Sequence, residues 1–159
     1  TFEGPQPEAI PQLSYSITVA DEIDTSRGGM IVKAHEPVQT AQEFDAMICW
    51  FADKKTLKPR GRFHLRHTTN DVRAVVTEVH YKVNISTLEK SAENKEFALN
   101  DIGCVRIRCA APIFFDSYTQ NRTTGSFVLV DEQTNNTVAA GMILKPLADA
   151  GDEDAEVAI

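Results

Sequence analysis

Long apolar runs, paired cysteines and secretory signals are missing from this 159-residue sequence. No apolar run approaches the about 18 residues that a membrane-spanning helix requires, and no stretch has the composition of a signal peptide, so we expect a cytoplasmic protein with no membrane partner. The three cysteines are odd in number and lack C-x-x-C spacing, which argues against a zinc site or a disulfide framework. Cys49 lies in an apolar run and is predicted to pack in the core.

Motifs for phosphate binding and nucleophilic catalysis are also absent. The sequence has no G-x-x-x-x-G-K-[ST] loop to hold a triphosphate and its magnesium, and no G-x-S-x-G elbow to carry a serine nucleophile. His64 and His67 lie three residues apart on a predicted strand, so their side chains point to opposite faces, and we predict that both are surface residues. We therefore assign the chain no catalytic, cofactor-binding or metal-binding residue and expect no enzymatic activity of the chain alone.

The formal net charge of −7 is concentrated at the end of the sequence. Five acids and few apolar residues lie in residues 147–159, which are predicted to be a disordered acidic tail, and the rest of the chain is nearly neutral. Residues 1–12 contain three prolines and a glycine, which indicates a linker.

Most of the remaining sequence alternates between apolar and polar residues with a period of two, which is typical of half-buried strands. The predicted strands are residues 13–19, 30–33, 43–51 and 62–67, a long strand from Asp71, and residues 104–109, which we expect Pro112 to end. In residues 43–51 one face is predicted to carry Phe44, Ala46, Ile48 and Trp50. In the long strand one face is predicted to carry Val75, Val79, Tyr81 and Val83. Many short strands without alternating helices predict an all-β barrel or sandwich.

Two apolar runs near the end of the chain, residues 127–130 and 138–144, flank a polar segment, residues 131–137, and this pattern predicts a β-hairpin. Gly141 lies inside the second arm. A glycine within a strand indicates close approach of another backbone or a sharp bend, so we expect a closed or tightly packed sheet. Ser86 and Glu89 fit a capping box, which predicts one short helix before Phe97.

Six cations without an acid mark residues 54–66 as a basic stretch. Such a local excess is compatible with a solvated loop and strand face, with docking of a partner protein, or with phosphate binding. Aromatic residues are not interleaved with the cations, which disfavours nucleic acid. The basic residues are Lys54, Lys55, Lys58, Arg60, Arg62 and Arg66.

Several segments together resemble the C-terminal barrel of the large, GTP-hydrolysing subunit of sulfate adenylyltransferase, which is similar in build to elongation factor Tu. The likeness covers roughly residues 13–144. The segments that carry it are residues 21–24 and 26–28, residues 84–89, residues 99–103, residues 121–125 (NRTTG), residues 134–138 (TNNTV) and residues 140–143 (AGMI).

The resemblance implies an all-β, closed Greek-key barrel of about six strands with one short helix. It also implies that residues 13–35 end a preceding β-barrel and that residues 36–146 form the C-terminal barrel, between the linker (residues 1–12) and the acidic tail (residues 147–159) that the composition predicts. The parent protein would transfer adenylyl from ATP to sulfate, yielding adenosine 5′-phosphosulfate and pyrophosphate, with GTP and magnesium bound by another domain of the large subunit.

By the same resemblance, the partners are the small catalytic subunit and the GTPase domain of the parent chain. The expected docking surface consists of Lys58, Arg60, Arg62, Arg66, Asn121 and Arg122. Because the hairpin alone fits elongation factor Tu and its other relatives, an RNA-binding barrel of a translation factor remains the alternative function.

Overall fold

The computed structural model describes residue 4, residues 8–10, residues 13–36 and residues 38–146, without the side chains of residues 145 and 146. The predicted acidic tail and most of the predicted linker therefore lie outside the described residues. The strands are β1 (Gln39–Trp50), β2 (Arg62–His67), β3 (Asn70–Val83), β4 (Lys90–Ser91), β5 (Ile102–Phe115), β6 (Ser126–Asp131) and β7 (Thr137–Pro146).

All strand pairings are antiparallel, and they run in the order β2-β6-β7-β1-β5-β3-β4. Because β2 also pairs with β3, the six long strands close into a barrel and the two-residue strand β4 extends one edge. This architecture confirms the predicted closed six-stranded barrel. Closure removes the open sheet edges that would otherwise leave backbone groups unpaired.

Alternation along the strands places one face of each inside the barrel. In β1, Phe44, Ala46, Ile48 and Trp50 are all buried, as their spacing predicts. Aromatic rings fill the two ends of the interior: Phe44 packs against Phe115 and Phe127 at centroid distances of 5.3 and 5.9 Å, and Trp50 packs against Phe63 at 5.7 Å. Edge-on and tilted geometries of this kind add to the stabilisation from burial.

The β6–β7 hairpin forms where the sequence predicts it, and Gly141 has a clear steric role. Phe127 pairs directly with Gly141, and a Cβ on Gly141 would collide with the Phe127 ring. An aromatic side chain therefore covers the glycine, and this contact takes the place of the close backbone approach expected from the sequence.

Strand β3 departs from the predicted period of two. Its pairing with β5 shifts register between Val76 and Glu78 and again between Val79 and Tyr81. At each β-bulge an extra residue is inserted, which reverses the face that the following side chains occupy. Val79 is consequently buried in the core, on the face opposite to Val75, so the prediction that the four apolar residues share one face is wrong for Val79.

Strand β5 continues past Pro112 to Phe115, so the prediction that Pro112 ends it is wrong. The pairing with β1 jumps from Glu43 opposite Arg108 to Ala41 opposite Ile113. Pro112 therefore lies within an irregularity, where its missing N–H interrupts no ladder hydrogen bond.

The predicted helix after Ser86 is wrong: none of the described residues is helical, and so none forms a helix able to cross a membrane. The Asn84 side chain accepts hydrogen bonds from the backbone N–H groups of Ser86 (2.9 Å) and Thr87 (3.3 Å). Leu88 then takes a positive φ of 60°, which ends the single turn. The chain reverses directly and pairs again with β3 through β4, because Asn84, not Ser86, organises the turn.

Residues 13–36 contain no strand, so the predicted strands at residues 13–19 and 30–33 are not formed here. A strand needs a hydrogen-bonding neighbour, and no other strand among the described residues pairs with this segment. It meets the barrel at the β2–β3 turn: Arg27 Nε donates to the carbonyl oxygen of Thr69 at 3.0 Å, and Asn70 Nδ2 donates to that of Gly28 at 3.4 Å.

Candidate docking surface

The basic stretch follows the loop from β1 into β2 and continues along the outer face of β2. Phe63, Leu65 and His67 point into the barrel and are buried, which directs Arg62 and Arg66 outward into solvent. Arg60 enters the strand with a positive φ of 68°, and its backbone N–H donates to the carbonyl oxygen of Val76 at 2.7 Å. The stretch is therefore held against the barrel wall by its backbone.

Acids meet three of its six cations, and two of these acids come from distant parts of the chain. Lys55 pairs with Asp131, Lys58 Nζ lies 3.3 Å from Glu96 Oε1, and Arg66 Nε lies 3.0 Å from Asp71 Oδ2. Glu96 and Asp131 are far from the basic stretch in sequence, and Asp71 lies five residues after Arg66, so residues 54–66 alone suggest a stronger positive patch than the fold presents.

The remaining cations, Lys54, Arg60 and Arg62, make no ion pair with any described residue. Arg73 joins them: it is exposed on β3 directly opposite His64 of β2, again without an ion pair in the described part of the chain. Sequence reasoning missed Arg73. Its outward position became assignable only once the register of β3 against β2 was known.

Asn121 and Arg122 lie in the loop between β5 and β6. This loop is near the His67 end of β2, whereas Arg60 and Arg62 are at the other end of the strand. The buried His67 holds this loop, since its Nε2 lies 2.6 Å from the carbonyl oxygen of Thr124. The Asn121 side chain accepts the Thr123 N–H at 3.0 Å, and the Arg122 guanidinium lies 6.0 Å from the Tyr118 ring centroid. The six predicted docking residues thus form no compact cluster but extend along one wall, about 16 Å from end to end of β2.

The two histidines of β2 diverge as predicted, but only one is on the surface. His64 is partly exposed, and its Nδ1 lies 2.9 Å from Asp71 Oδ1. His67 is buried, so the prediction that both are surface residues is wrong for His67. Its bond to a loop carbonyl satisfies the ring inside the protein, where an unpaired polar group would be destabilising.

The wall formed by β1 and β5 carries charges that are already paired. Arg106 donates to Asp45 at 3.0 and 3.3 Å, His80 Nε2 lies 3.0 Å from Asp45 Oδ1, and Arg108 bonds Glu43 at 2.7 Å. Burial acts to raise the pKa of Asp45, but the bonds from Arg106 and His80 outweigh it and hold that pKa below its usual value. Unpaired arginines therefore remain on the β2–β3 wall, whereas the arginines of the β1–β5 wall are paired.

No constellation for catalysis emerges from the described residues. Within them, no group of three or more His, Cys, Asp and Glu side chains is arranged to hold a metal ion, and every buried side-chain nitrogen and oxygen has a hydrogen-bond partner. The geometry supports binding through a surface, and residues 43–144, which contain that surface, match the family described as GTP-eEF1A C-terminal domain-like.

Curated relatives are similar over nearly the whole chain. The bifunctional enzyme CysN/CysC of Mycobacterium tuberculosis (strain ATCC 25618 / H37Rv) is 42% identical over 145 residues, which are 91% of this chain and 24% of that protein. Sulfate adenylyltransferase subunit 1 of Pseudoalteromonas atlantica is 35% identical over 150 residues, 94% of this chain and 32% of the relative. The chain thus spans a quarter to a third of these relatives, and they bear out the resemblance to sulfate adenylyltransferase.

A solved structure shares the barrel at low sequence identity. The crystal structure of sup35 complexed with GMPPNP aligns with a TM-score of 0.66 at 18% identity, over 73% of this chain and 28% of that one. At this identity the likeness concerns the fold alone, and it agrees with the family match. The chain belongs to the GTP-eEF1A C-terminal domain-like family.

Proposed function

We propose that this chain is the non-catalytic C-terminal barrel of the large subunit of a sulfate adenylyltransferase, which makes adenosine 5′-phosphosulfate and pyrophosphate from ATP and sulfate. The barrel positions the GTPase domain of the large subunit and docks the small catalytic subunit. The observation that carries the proposal is the similarity of 91–94% of the chain to a CysN/CysC enzyme and to a sulfate adenylyltransferase subunit 1.

The barrel suits a positioning role because its interior is filled and its buried polar groups are satisfied. The described residues leave no unpartnered buried side-chain polar atom that would point to a ligand inside. A closed sheet is rigid, and a rigid element fixes how two attached domains face one another. The proposal assigns GTP and magnesium to the GTPase domain, because the sequence of this chain has no G-x-x-x-x-G-K-[ST] loop.

The docking surface for the small subunit narrows to Arg60, Arg62 and Arg73. These three are exposed, carry no ion-pair partner among the described residues, and lie on one wall. Lys58 and Arg66 belong to the same wall but are already paired with acids. Unpaired arginines suit contact with carboxylates, because the guanidinium can bond them in a bidentate manner.

The test uses the complete two-subunit enzyme and measures GTP-stimulated synthesis of phosphosulfate. Deleting residues 36–144 should abolish the stimulation, and Arg62→Glu with Arg73→Glu should weaken association of the subunits. Lys90→Glu is the matched control, because Lys90 is exposed, has no ion pair with any described residue, and lies on β4 opposite Val83, at the end of β3 far from Arg73. Undiminished stimulation after the deletion, with the remaining domains folded, would overturn the positioning role. Equal effects of the three charge reversals would remove the docking surface.

The cofactor assignment has its own test, calorimetric titration of the chain with GTP and magnesium. We expect only weak, salt-sensitive heats, because attraction to the exposed arginines is screened over about 8 Å at physiological ionic strength. Saturable binding that survives added salt would contradict the assignment.

RNA binding, the alternative function, is favoured by the unpaired arginines and by the translation-factor name of the family. Against it, acids neutralise half of the basic stretch, which weakens the phosphate contacts on which RNA affinity depends. Titration of the chain with transfer RNA at physiological salt distinguishes the two functions. A dissociation constant tighter than the non-specific limit of about 10⁻⁶ M would replace the sulfate function with the translational one.

A further inference from the structure

Sulfur atoms gather on the outer face of the barrel where β7, β1 and β5 adjoin. Met142 of β7 pairs with Met47 of β1, and Met47 pairs with Cys104 of β5. Cys49 lies two residues beyond Met47 on the same face of β1. These four residues, Met47, Cys49, Cys104 and Met142, are called the sulfur cluster below. They are four of the six sulfur-containing residues in the sequence.

The register places Met47 at the centre of the group, directly paired with Met142 and with Cys104, which lie on opposite sides of β1 about 10 Å apart. Directly paired residues on one face have Cβ atoms about 4.5–5.5 Å apart, and diagonal neighbours about 7–8 Å. Methionine adds three rotatable bonds, which let its sulfur close the remaining gap. Cys49 faces outward with this group, so the prediction that it packs in the core is wrong. The apolar run around it misled because β1 has apolar residues on both faces.

Cys104 is buried although it faces away from the barrel interior. It is only 5% exposed, yet it is not part of the core cluster. Its cover comes from its neighbours in the row, Met47 on one side and Tyr81 of β3 on the other. The Tyr81 hydroxyl donates to Met47 Sδ at 3.8 Å, which holds that thioether beside the thiol. Cys104 is thus a sheltered thiol next to an oriented thioether.

Access from solvent comes through Met142, which is 39% exposed and forms the outer side of the cluster. Cys49 is partly exposed beside it. A small ion can therefore reach the cluster without opening the barrel.

We propose that the sulfur cluster binds one soft monovalent metal ion, Cu⁺. Thiolate and thioether sulfur are the donors that select this ion, whereas imidazole and carboxylate suit harder divalent metals. The neighbouring carboxylate of Asp45 is occupied by Arg106 and His80, which leaves the sulfurs as the available donors. The proposal replaces the expectation that the chain has no metal-binding residue.

Binding must displace a proton. Cys104 is a free cysteine, and a thiol without a metal carries its proton at neutral pH. As Cu⁺ arrives, the S–H bond breaks, the S–Cu bond forms and one proton leaves to solvent, so the site gains no net charge from that ligand. Cys109 has the same chemistry without the neighbours: burial raises its pKa to about 12, but it lies in the core on the inner face of β5.

The experiment titrates the reduced, full-length chain anaerobically with Cu⁺ held by a chromogenic bathocuproine chelator. The expected result is transfer of one Cu⁺ per chain from the chelator, with release of protons and a rise in melting temperature. Met47→Leu and Cys104→Ser should each weaken binding by more than about tenfold, since losing a ligand exceeds the effect of losing an outer partner. Met47→Leu preserves side-chain volume, so it remains informative even if Cys104→Ser folds poorly.

Two matched controls come from the remaining sulfur residues. Met30→Leu changes a methionine outside the barrel, and Cys109→Ala removes a thiol from the inner face of β5. Both should bind Cu⁺ as the unmodified chain does. Failure of the unmodified chain to compete with the chelator, or equal losses in the controls and the cluster variants, would overturn the proposal.

Discussion

The same alternating pattern has opposite outcomes in residues 13–19 and in strand β1. In the first segment the apolar residues Leu13, Tyr15, Ile17 and Val19 are 36–65% exposed. In β1 the corresponding residues Phe44, Ala46, Ile48 and Trp50 are at most 1% exposed. The difference lies in the neighbours, because β1 is paired on both sides by β5 and β7, whereas no described strand pairs with residues 13–19. An alternating sequence therefore indicates which face of a strand can be buried. That face is buried only when neighbouring strands pair with the segment.

The largest expected effect on stability is at Phe127, a residue of the paired strands. Phe127→Ala should lower the free energy of unfolding by about 3–5 kcal/mol, because the ring packs on Phe44 and the cavity left behind cannot fill. Ile17→Ala, in the unpaired segment, should change it by less than about 0.5 kcal/mol. Urea unfolding measures both. Equal losses at the two positions would mean that the segment is packed and that the contrast is false.

Gly141→Ala tests the same contact from the other strand. The added Cβ meets the Phe127 ring, so we expect a loss of about 1–3 kcal/mol from overpacking. Combining it with Phe127→Ala should cost less than the sum of the two, because removing the ring makes room for the methyl group. An additive double variant in the same urea series would show that the two residues do not interact.

Asp131 provides a pH-dependent test inside the barrel domain. The hydrogen bond from Lys55 is the chief cause that lowers the pKa of this buried carboxyl to about 2, and the backbone and hydroxyl of Thr134 assist. A lowered pKa means that the stabilisation is complete above the unfolded value of 3.8 and is lost as the pH falls through about 2.

We therefore expect Asp131→Asn to lose about 2 kcal/mol at neutral pH and to show a flatter stability curve between pH 4 and pH 2. Chemical unfolding over that range makes the measurement. Asp21→Asn, in the unpaired segment, should leave the curve unchanged. A variant at Asp131 that keeps the full acid dependence would assign the stabilisation to other carboxylates.

The smallest expected effect concerns the hydrogen bonds between residues 13–36 and the β2–β3 turn. Arg27→Ala removes the bond to Thr69 and should lower protection of the Gly29 amide by about twofold, as expected for an exposed hydrogen bond worth about 0.5 kcal/mol. Amide hydrogen exchange should report no change in β1. A global loss of protection would mean that this contact stabilises the whole barrel.

The strands of the barrel were largely predictable, because β1, β2 and the β6–β7 hairpin keep strict alternation and clear turn residues. The wrong predictions concern positions at which a backbone irregularity or a side chain from another position determines the structure. The bulges of β3 place Val79 opposite to its predicted face, the irregularity in β5 accommodates Pro112, and the Asn84 side chain takes over the turn assigned to a helix cap at Ser86. Local sequence contains no sign of these choices.

The candidate surface was predictable in part, for a similar reason. The basic stretch is visible in the sequence, but the acids that neutralise Lys55, Lys58 and Arg66 come from other strands and loops. Arg73 stays hidden until the β2–β3 register is known. Charge counted along a sequence therefore overestimates the charge that a partner meets.

The pairing of β1 also has a consequence for synthesis on the ribosome. β1 needs both β5 and β7 as partners, and Trp50 pairs with Ala139, which emerges about 90 residues later. Because translation adds about 5–20 residues per second, roughly 5–20 s pass between the synthesis of β1 and that of its last partner strand, β7. Non-local pairing of this kind also slows folding itself. The barrel can close only after translation of β7, and until then the exposed apolar face of β1 is open to aggregation.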